Sequence, residues 1–486
     1  MLERALDLGF ALAGVAPAEP SRHADHVRSW LAEHRHGEMH YLAEPLDVRL
    51  DPNRLVPQAK SILLVADAYP TQGKGPRVQG AEGPREEQTT SDAKRAGDTG
   101  TIHHSQITTH HSPPSSRIAR YAWGDDYHKV MKKRLFALAD ALREGHPEAT
   151  FRCCVDTAPL LEREHAARAG MGWIGKHTLL LHPRHGSFLL LGAIVTDLEL
   201  ASSETLGYPR SLVPPADHCG TCTRCIDACP TGCIFDQRLN DYPGKPDNKP
   251  PGDAPASPLE RAGNRRAREK DSASPLERAG ASHQTSNTSA NEPTPPRAID
   301  AARCISYLTI EHRSAIVPEL HAPMGDWLIG CDVCQEVCPY NNAPTPPLSE
   351  IPGAKRLEPN ASTPPLSEIP GAKRLVSAPT MTPREPLPIH LRYRPRETLA
   401  AGLDPFEVLR WTEDDRRRVF RGSALKRVKL DMLHRNALIV LTNTAAALPP
   451  EDPHRTAALA EAQRLADDPD TSPLVQETAR VCISRL

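Results

Sequence analysis

The stretch His218-Cys219-Gly220-Thr221-Cys222-Thr223-Arg224-Cys225-Ile226-Asp227-Ala228-Cys229-Pro230 decides how this chain is read. Its C-x2-C-x2-C-x3-C-P spacing lets three close thiolates hold one iron-sulfur cube while the fourth turns to a second cube. A partner run is therefore required, and Cys331-x2-Cys334-x3-Cys338-Pro339 supplies it, with Cys304 upstream as the remaining ligand. The crossing rule assigns Cys219, Cys222, Cys225 and Cys338 to one [4Fe-4S] cluster, and Cys229, Cys304, Cys331 and Cys334 to the other. Structural zinc usually takes two C-x2-C pairs across a longer loop, so the triple run is poor zinc spacing. Disulfides are disfavoured too, because no convincing export signal precedes the thiols.

Outward from these runs, 486 residues suffice for two or three domains, but 49 prolines and 4% aromatic residues mark part of the chain as unable to pack. A formal net charge of −2 gives no overall field for a nucleic acid, so any such partner must meet a local patch. No apolar run is long enough for a membrane span. Leu8 to Ala18 reads as a helix end entering a first strand rather than a signal segment, since Gly9, Gly14 and Pro17 interrupt it. The expected compartment is the cytoplasm.

Strand-like and helical segments alternate through the first part: Ser61 to Tyr69, a helix from Tyr127 to Arg143, Phe151 to Asp156, Leu179 to Leu181 and Phe188 to Val195. That alternation argues for an α/β layer. Residues 71–116, 241–297 and 343–380 lack periodicity and read as insertions or linker. The second and third contain short duplicated phrases, such as Ser257-Pro258-Leu259-Glu260-Arg261-Ala262-Gly263 and its repeat at Ser274 to Gly280. His103, His104, His110 and His111 lie in the first and read as solvated side chains. From about Pro405 the chain is helical, with Leu430, Leu433, Ala437, Val440 and Leu441 as one apolar stripe. Between Arg416 and Arg435 stand Arg416, Arg417, Arg418, Arg421, Lys426, Arg427, Lys429 and Arg435 against Asp431 as the lone acid, a patch suited to phosphate.

Several phrases together resemble the epoxyqueuosine reductase family, corrinoid iron-sulfur enzymes that complete the queuosine base in the tRNA anticodon. They are Arg120-Tyr121-Ala122-Trp123-Gly124 with Asp126-Tyr127-His128-Lys129, Val155-Asp156-Thr157-Ala158-Pro159 with Leu161-Glu162-Arg163, and Ala169-Gly170-Met171-Gly172-Trp173-Ile174-Gly175-Lys176. The likeness continues through both cysteine runs, Arg303-Cys304-Ile305-Ser306-Tyr307 and Gly422-Ser423-Ala424-Leu425-Lys426-Arg427.

The resemblance implies an α+β multidomain chain: a cobalamin-binding α/β domain over 1–212, a ferredoxin-like two-cluster domain over 213–342, a linker over 343–380 and a HEAT-like helical tRNA-binding domain over 381–486. It implies Asp156 as the catalytic acid, and cobalamin contacts at Ala119, Asp156, Leu180, Leu191, Ser306 and Asp332. A further contact, usually basic, falls on Glu44 and is not carried over. The substrate implied is tRNA bearing epoxyqueuosine, met by Arg418, Arg421, Lys426 and Arg427. A monomer fed by an unidentified electron donor is expected. On its own residues Asp156 reads equally well as an N-cap ahead of Thr157-Ala158-Pro159. As an acid it is expected to be neutral when it acts, its pKa raised by desolvation. Other readings are a two-cluster electron carrier without a corrinoid, and a corrinoid reductive dehalogenase, whose relatives carry a twin-arginine leader not seen here.

Overall fold

The computed structural model describes residues 1–70, 116–202, 219–236, 297–342, 387 and 389–486. The segments read as insertions fall almost wholly outside these residues. Their edges fold inward: Ser116 is fully buried, its hydroxyl donating to the Leu403 carbonyl at 2.7 Å, and residue 297 opens a short strand.

The N-terminal part is built on a four-stranded sheet ordered Leu12–Pro17, Ser61–Ala68, Leu189–Thr196 and Phe151–Cys154. Every neighbouring pair is antiparallel. This corrects the α/β expectation: strands and helices do alternate along the chain, but no parallel pair forms within this sheet, because Leu189–Thr196 inserts between two earlier strands and runs opposite to both. The central strand Ser61–Ala68 is apolar on both sides, as a strand covered on both faces must be. Period-two alternation sends Leu63 and Val65 to one face and Ile62, Leu64 and Ala66 to the other.

The first face is covered by the helix Tyr127–Gly145 through Met131, Leu135 and Leu138, all fully buried, and the second by the helix Glu162–Arg168 through Ala166. Burying each such leucine contributes about 1.5–3 kcal/mol. Close approach of the long helix requires a glycine in the sheet, since a Cβ at Gly192 would meet Met131 Sδ at 2.7 Å.

Two short ladders join distant parts of the chain. Trp327–Ile329 pairs in parallel with Arg117–Ile118, and Ile234–Asp236 pairs antiparallel with Arg297–Ile299, which brings the end of the first cysteine run beside the approach to the second. The C-terminal helices Leu430–Ala446, Pro453–Asp467 and Pro473–Arg485 pack together. The first is buried on nearly every side rather than along the single expected stripe, because it is covered by its two helical neighbours and by the segment 305–329 as well. One continuous hydrophobic cluster runs from Ile118 through Ile305 and Trp327 to Leu433 and Cys482. The helical end therefore shares a core with the segment that carries the second cysteine run.

Candidate functional site

The short helices Arg224–Asp227 and Val333–Glu336 follow the first thiols of each run and carry Cys225 and Cys334. Burial, then the proximity of Cys219, Cys338 and Cys222, pushes the Cys225 thiol up to about 12. Burial, with Cys219 and Cys222 close by, takes Cys338 to about 11. The thiols of Cys331 and Cys334 are raised by burial and have Cys304 as a common neighbour, and Cys229 also faces Cys331. The last thiol of each run thus lies among the thiols of the other. Cys334 in turn faces Cys225, so the two groups adjoin. Cys233 is buried with its sulfur 3.3 Å from that of Cys229. Among the described residues no three His, Cys, Asp or Glu side chains come together at the spacing of a single-ion site.

One interaction around the first run was not anticipated. Lys176, at the end of the Gly170 to Lys176 phrase, is buried and its ammonium donates to the Gly220 carbonyl at 2.7 Å, tying the sheet domain to the cysteine loop.

Asp156 follows the edge strand Phe151–Cys154 and adopts a left-handed backbone, φ +48°. Aspartate tolerates this region better than most residues, but it remains an uncommon conformation that surrounding contacts must hold. The helix after it starts at Glu162 and has Leu161 as its N-cap, so Asp156 is not a helix cap. Instead, the Asp156 amide donates to Glu162 Oε1 at 2.8 Å, which pins the turn.

The Asp156 carboxylate lies 2.9 Å from His128 Nε2, with 46% of its side chain exposed. The other ring nitrogen, His128 Nδ1, lies 2.9 Å from Asp126 Oδ1, and Lys426 Nζ donates to Asp126 Oδ2 at 3.0 Å. Burial opposes the charge on Asp156, but the His128 hydrogen bond, the charges of His128 and Arg427 and the Tyr127 hydroxyl outweigh it and hold the carboxyl below its usual value. The expected upward shift is thereby corrected, because desolvation is more than offset by cationic neighbours. Burial also disfavours charge on His128, yet Asp126 and Asp156 raise it to about 9. Desolvation, followed by the charge of Asp156, raises Glu162 to about 8.

The positions that the resemblance assigns to cobalamin divide into two sets. Leu180 and Leu191 belong to the apolar cluster that also holds Cys154 and Leu160. Ala119 and Asp332 meet at the start of the Arg120 segment, where Asp332 Oδ2 accepts the Arg120 amide at 2.8 Å and burial pushes its carboxyl up to about 6. Tyr121, itself strongly desolvated, faces both Asp156 and Asp332. Ser306 is half-buried in the helix Ile305–Ile310. Glu44 is exposed.

The basic patch proves to be largely paired. Arg416 and Arg417 bond to Glu413, and Arg418 to Asp415, acids of the same helix that immediately precede the basic stretch. Lys426 reaches Asp126, and Arg427 reaches Glu311 at 2.8 Å. Arg435 is fully buried and leaves the patch altogether, donating to the Leu308, His312 and Ser314 carbonyls. Arg421 and Lys429 are exposed, and neither forms an ion pair among the described residues.

Comparison with known proteins bears on the same regions. Residues 49–157, which end just past Asp156, match the family model described as "Epoxyqueuosine reductase QueG, DUF1730", and residues 288–341 match that of the 4Fe-4S double cluster binding domain. An epoxyqueuosine reductase of Xanthomonas campestris is 33% identical over 69% of this chain and 68% of its own length. Another, from Burkholderia pseudomallei, is 28% identical over 97% of this chain and 88% of its own. Among solved structures, an epoxyqueuosine reductase with an epoxyqueuosine-modified tRNA stem loop has a TM-score of 0.61 at 22% identity, covering 99% of this chain and 88% of that one. A Bacillus subtilis structure with its catalytic aspartate loop swung out of the active site has a TM-score of 0.60 at 21% identity, with the same coverage. Those two likenesses speak for the fold. With a double-cluster domain, a family match that ends at the Asp156 turn and relatives similar over most of its length, this chain belongs to the epoxyqueuosine reductase family.

Proposed function

We propose that this oxidoreductase removes the epoxide oxygen of epoxyqueuosine at the wobble position of tRNA, leaving an alkene and water. The observation that carries the reading is the Asp156 turn, which holds a half-exposed carboxylate against an imidazole at the end of the family-matched segment. The reaction takes two electrons and two protons. Cys219, Cys222, Cys225 and Cys338 hold one [4Fe-4S] cluster in this proposal, and Cys229, Cys304, Cys331 and Cys334 hold the other. The thiol neighbourhoods support that division.

The apolar pair Leu180 and Leu191, with the buried polar edge of Asp332, suits a large and mostly apolar ring with polar amides at its rim. In this reading Ala119, Asp156, Leu180, Leu191, Ser306 and Asp332 would hold cobalamin. Bound there, cobalamin supplies the low-potential electron chemistry that no side chain provides. The protein's own part is to place the epoxide, keep the Asp156 turn fixed through Glu162 and deliver protons at Asp156 Oδ2. Arg421 and Lys429, with the surface-paired Arg418, form the best-supported phosphate contacts. Lys426 is paired with Asp126 and Arg427 with Glu311.

The test is incubation of anaerobically reconstituted protein with an epoxyqueuosine-bearing tRNA stem loop and a chemical reductant, followed by nucleoside analysis. Conversion to queuosine is expected. Protein that retains both clusters but never binds a corrinoid or converts the nucleoside would instead be an electron carrier.

A further inference from the structure

Asp156 is held as a carboxylate, yet each epoxide reduced consumes two protons. A proton source must therefore stand behind it. His128 is placed for that role by geometry alone. Both ring nitrogens lie 2.9 Å from carboxylate oxygens, Nδ1 from Asp126 and Nε2 from Asp156. An ionised carboxylate only accepts hydrogen bonds, so both nitrogens must donate, and an imidazole with two N–H groups is the cation. The ring is also fixed in place. It stacks on Tyr127 with centroids 4.0 Å apart, and Asp126 is buried, anchored by Lys426 and by its own amide, which donates to the Gly422 carbonyl at 2.7 Å.

We propose that His128 is the proton store of the reductase, a positioning residue that recharges Asp156 through Nε2–H and is itself held in the doubly protonated form by the Asp126–Lys426 pair. This rests on the reductase reading of the site. When the two C–O bonds of the epoxide break and the alkene forms, two electrons from the external reductant and two protons leave with the oxygen as water. For each proton, His128 Nε2–H first protonates the Asp156 carboxylate, and Asp156 then passes that proton to the oxygen. The transfer runs from His128 Nε2 to Asp156 Oδ2 across 2.9 Å, and His128 regains its proton from solvent, to which 23% of its side chain is open.

The charged and titratable groups around the ring come from every adjoining element. Asp126 and Tyr127 stand at the start of its own helix, Asp156 and Glu162 on the opposite turn, Lys426 and Arg427 behind Asp126 and Asp156, and Tyr121 beside them. The two carboxylates that touch the ring prevail, which sets the point of proton loss at about 9. Below that value the store is filled, and above it the store empties.

Two measurements on the full-length holoenzyme test this. The first is kcat against pH with an epoxyqueuosine-bearing tRNA stem loop and titanium(III) citrate. Wild type should hold its rate through neutrality and lose it near pH 9. His128→Gln, which keeps a hydrogen-bonding side chain but no exchangeable charge, should lower kcat about 10²-fold at unchanged KM and abolish that alkaline break. Asp126→Asn should move the break toward neutrality. The second is a ¹⁵N NMR titration of histidine-labelled protein, the His128 signals being assigned by their loss in His128→Gln. Both ring nitrogens should remain protonated at pH 7.5. The proposal is overturned if His128→Gln stays within about twofold of wild-type kcat, if the break does not move in Asp126→Asn, or if His128 is neutral at pH 7.5. Should His128→Gln lose its clusters or fail to fold, the Asp126→Asn profile and the wild-type titration decide the matter. Wild-type protein that leaves the nucleoside unchanged removes the reductase reading, and the relay falls with it.

Discussion

Replacing Arg435 by methionine should unfold this protein more easily than any change on its basic surface. The guanidinium has no exposed surface. It donates to the carbonyls of His312 and Ser314, both at 2.7 Å, to that of Leu308 at 2.6 Å, and to Asn436 Oδ1 at 2.9 and 3.1 Å. Methionine keeps the aliphatic stem and the packing but orphans these acceptors. Each buried acceptor left without a donor costs about 1–3 kcal/mol. Against that, the cation no longer has to be desolvated, a burden visible in a guanidinium whose pKa burial lowers to about 10. Set against that relief, the three carbonyls and the Asn436 amide oxygen left without a donor bring a net loss of about 3–5 kcal/mol. The loss falls on the joint between the C-terminal helices and the segment bearing Cys304 to Cys338. For a cooperative unit of this size it corresponds to a drop in thermal midpoint of ~10 °C. Circular dichroism melts of the cluster-loaded protein, with iron content followed alongside, are the assay. A midpoint within about 2 °C of wild type would show that the carbonyls find other donors and that Arg435 does not lock the joint.

Asp156→Asn should keep both clusters and tRNA affinity while lowering turnover about 10²–10⁴-fold; near-normal nucleoside conversion would remove Asp156 from the chemistry. Cys338→Ala should perturb the spin-resonance signal of the cluster held by Cys219, Cys222 and Cys225, and Cys229→Ala that of the cluster held by Cys331 and Cys334. If each variant disturbs only the signal of its own run, the crossed ligation is wrong. Arg421→Gln and Lys429→Gln should each flatten the salt dependence of tRNA binding, by a log–log slope of about 0.7–0.9 for each phosphate no longer neutralised. Arg416→Gln should leave that slope nearly unchanged, because Glu413 already neutralises it; equal slopes for all three variants would place the tRNA elsewhere.

The sequence by itself determined what depends on local spacing. The two cysteine runs are legible because a cluster needs its thiolates at short fixed intervals, and the helix from Tyr127 is legible because burial imposes a 3.6-residue period on Leu135, Leu138 and Leu142. The phrase Asp126-Tyr127-His128-Lys129 stood out as well, but nothing in it assigned His128 a task. Tertiary structure decided whatever depends on which distant residues meet. It brought His128 to Asp156 across 28 positions and Lys426 to Asp126 across 300, and these contacts reversed the expected shift of the Asp156 carboxyl. It set the antiparallel order of the sheet, since strand direction follows from which strand inserts where rather than from composition. It also divided one basic stretch four ways: Arg435 went into the core, Arg416, Arg417 and Arg418 to acids of their own helix, Lys426 and Arg427 to the distant acids Asp126 and Glu311, and Arg421 and Lys429 stayed in solvent. Charge counted along a chain carries no record of which carboxylates fold against it, so that division could be read only from the folded molecule.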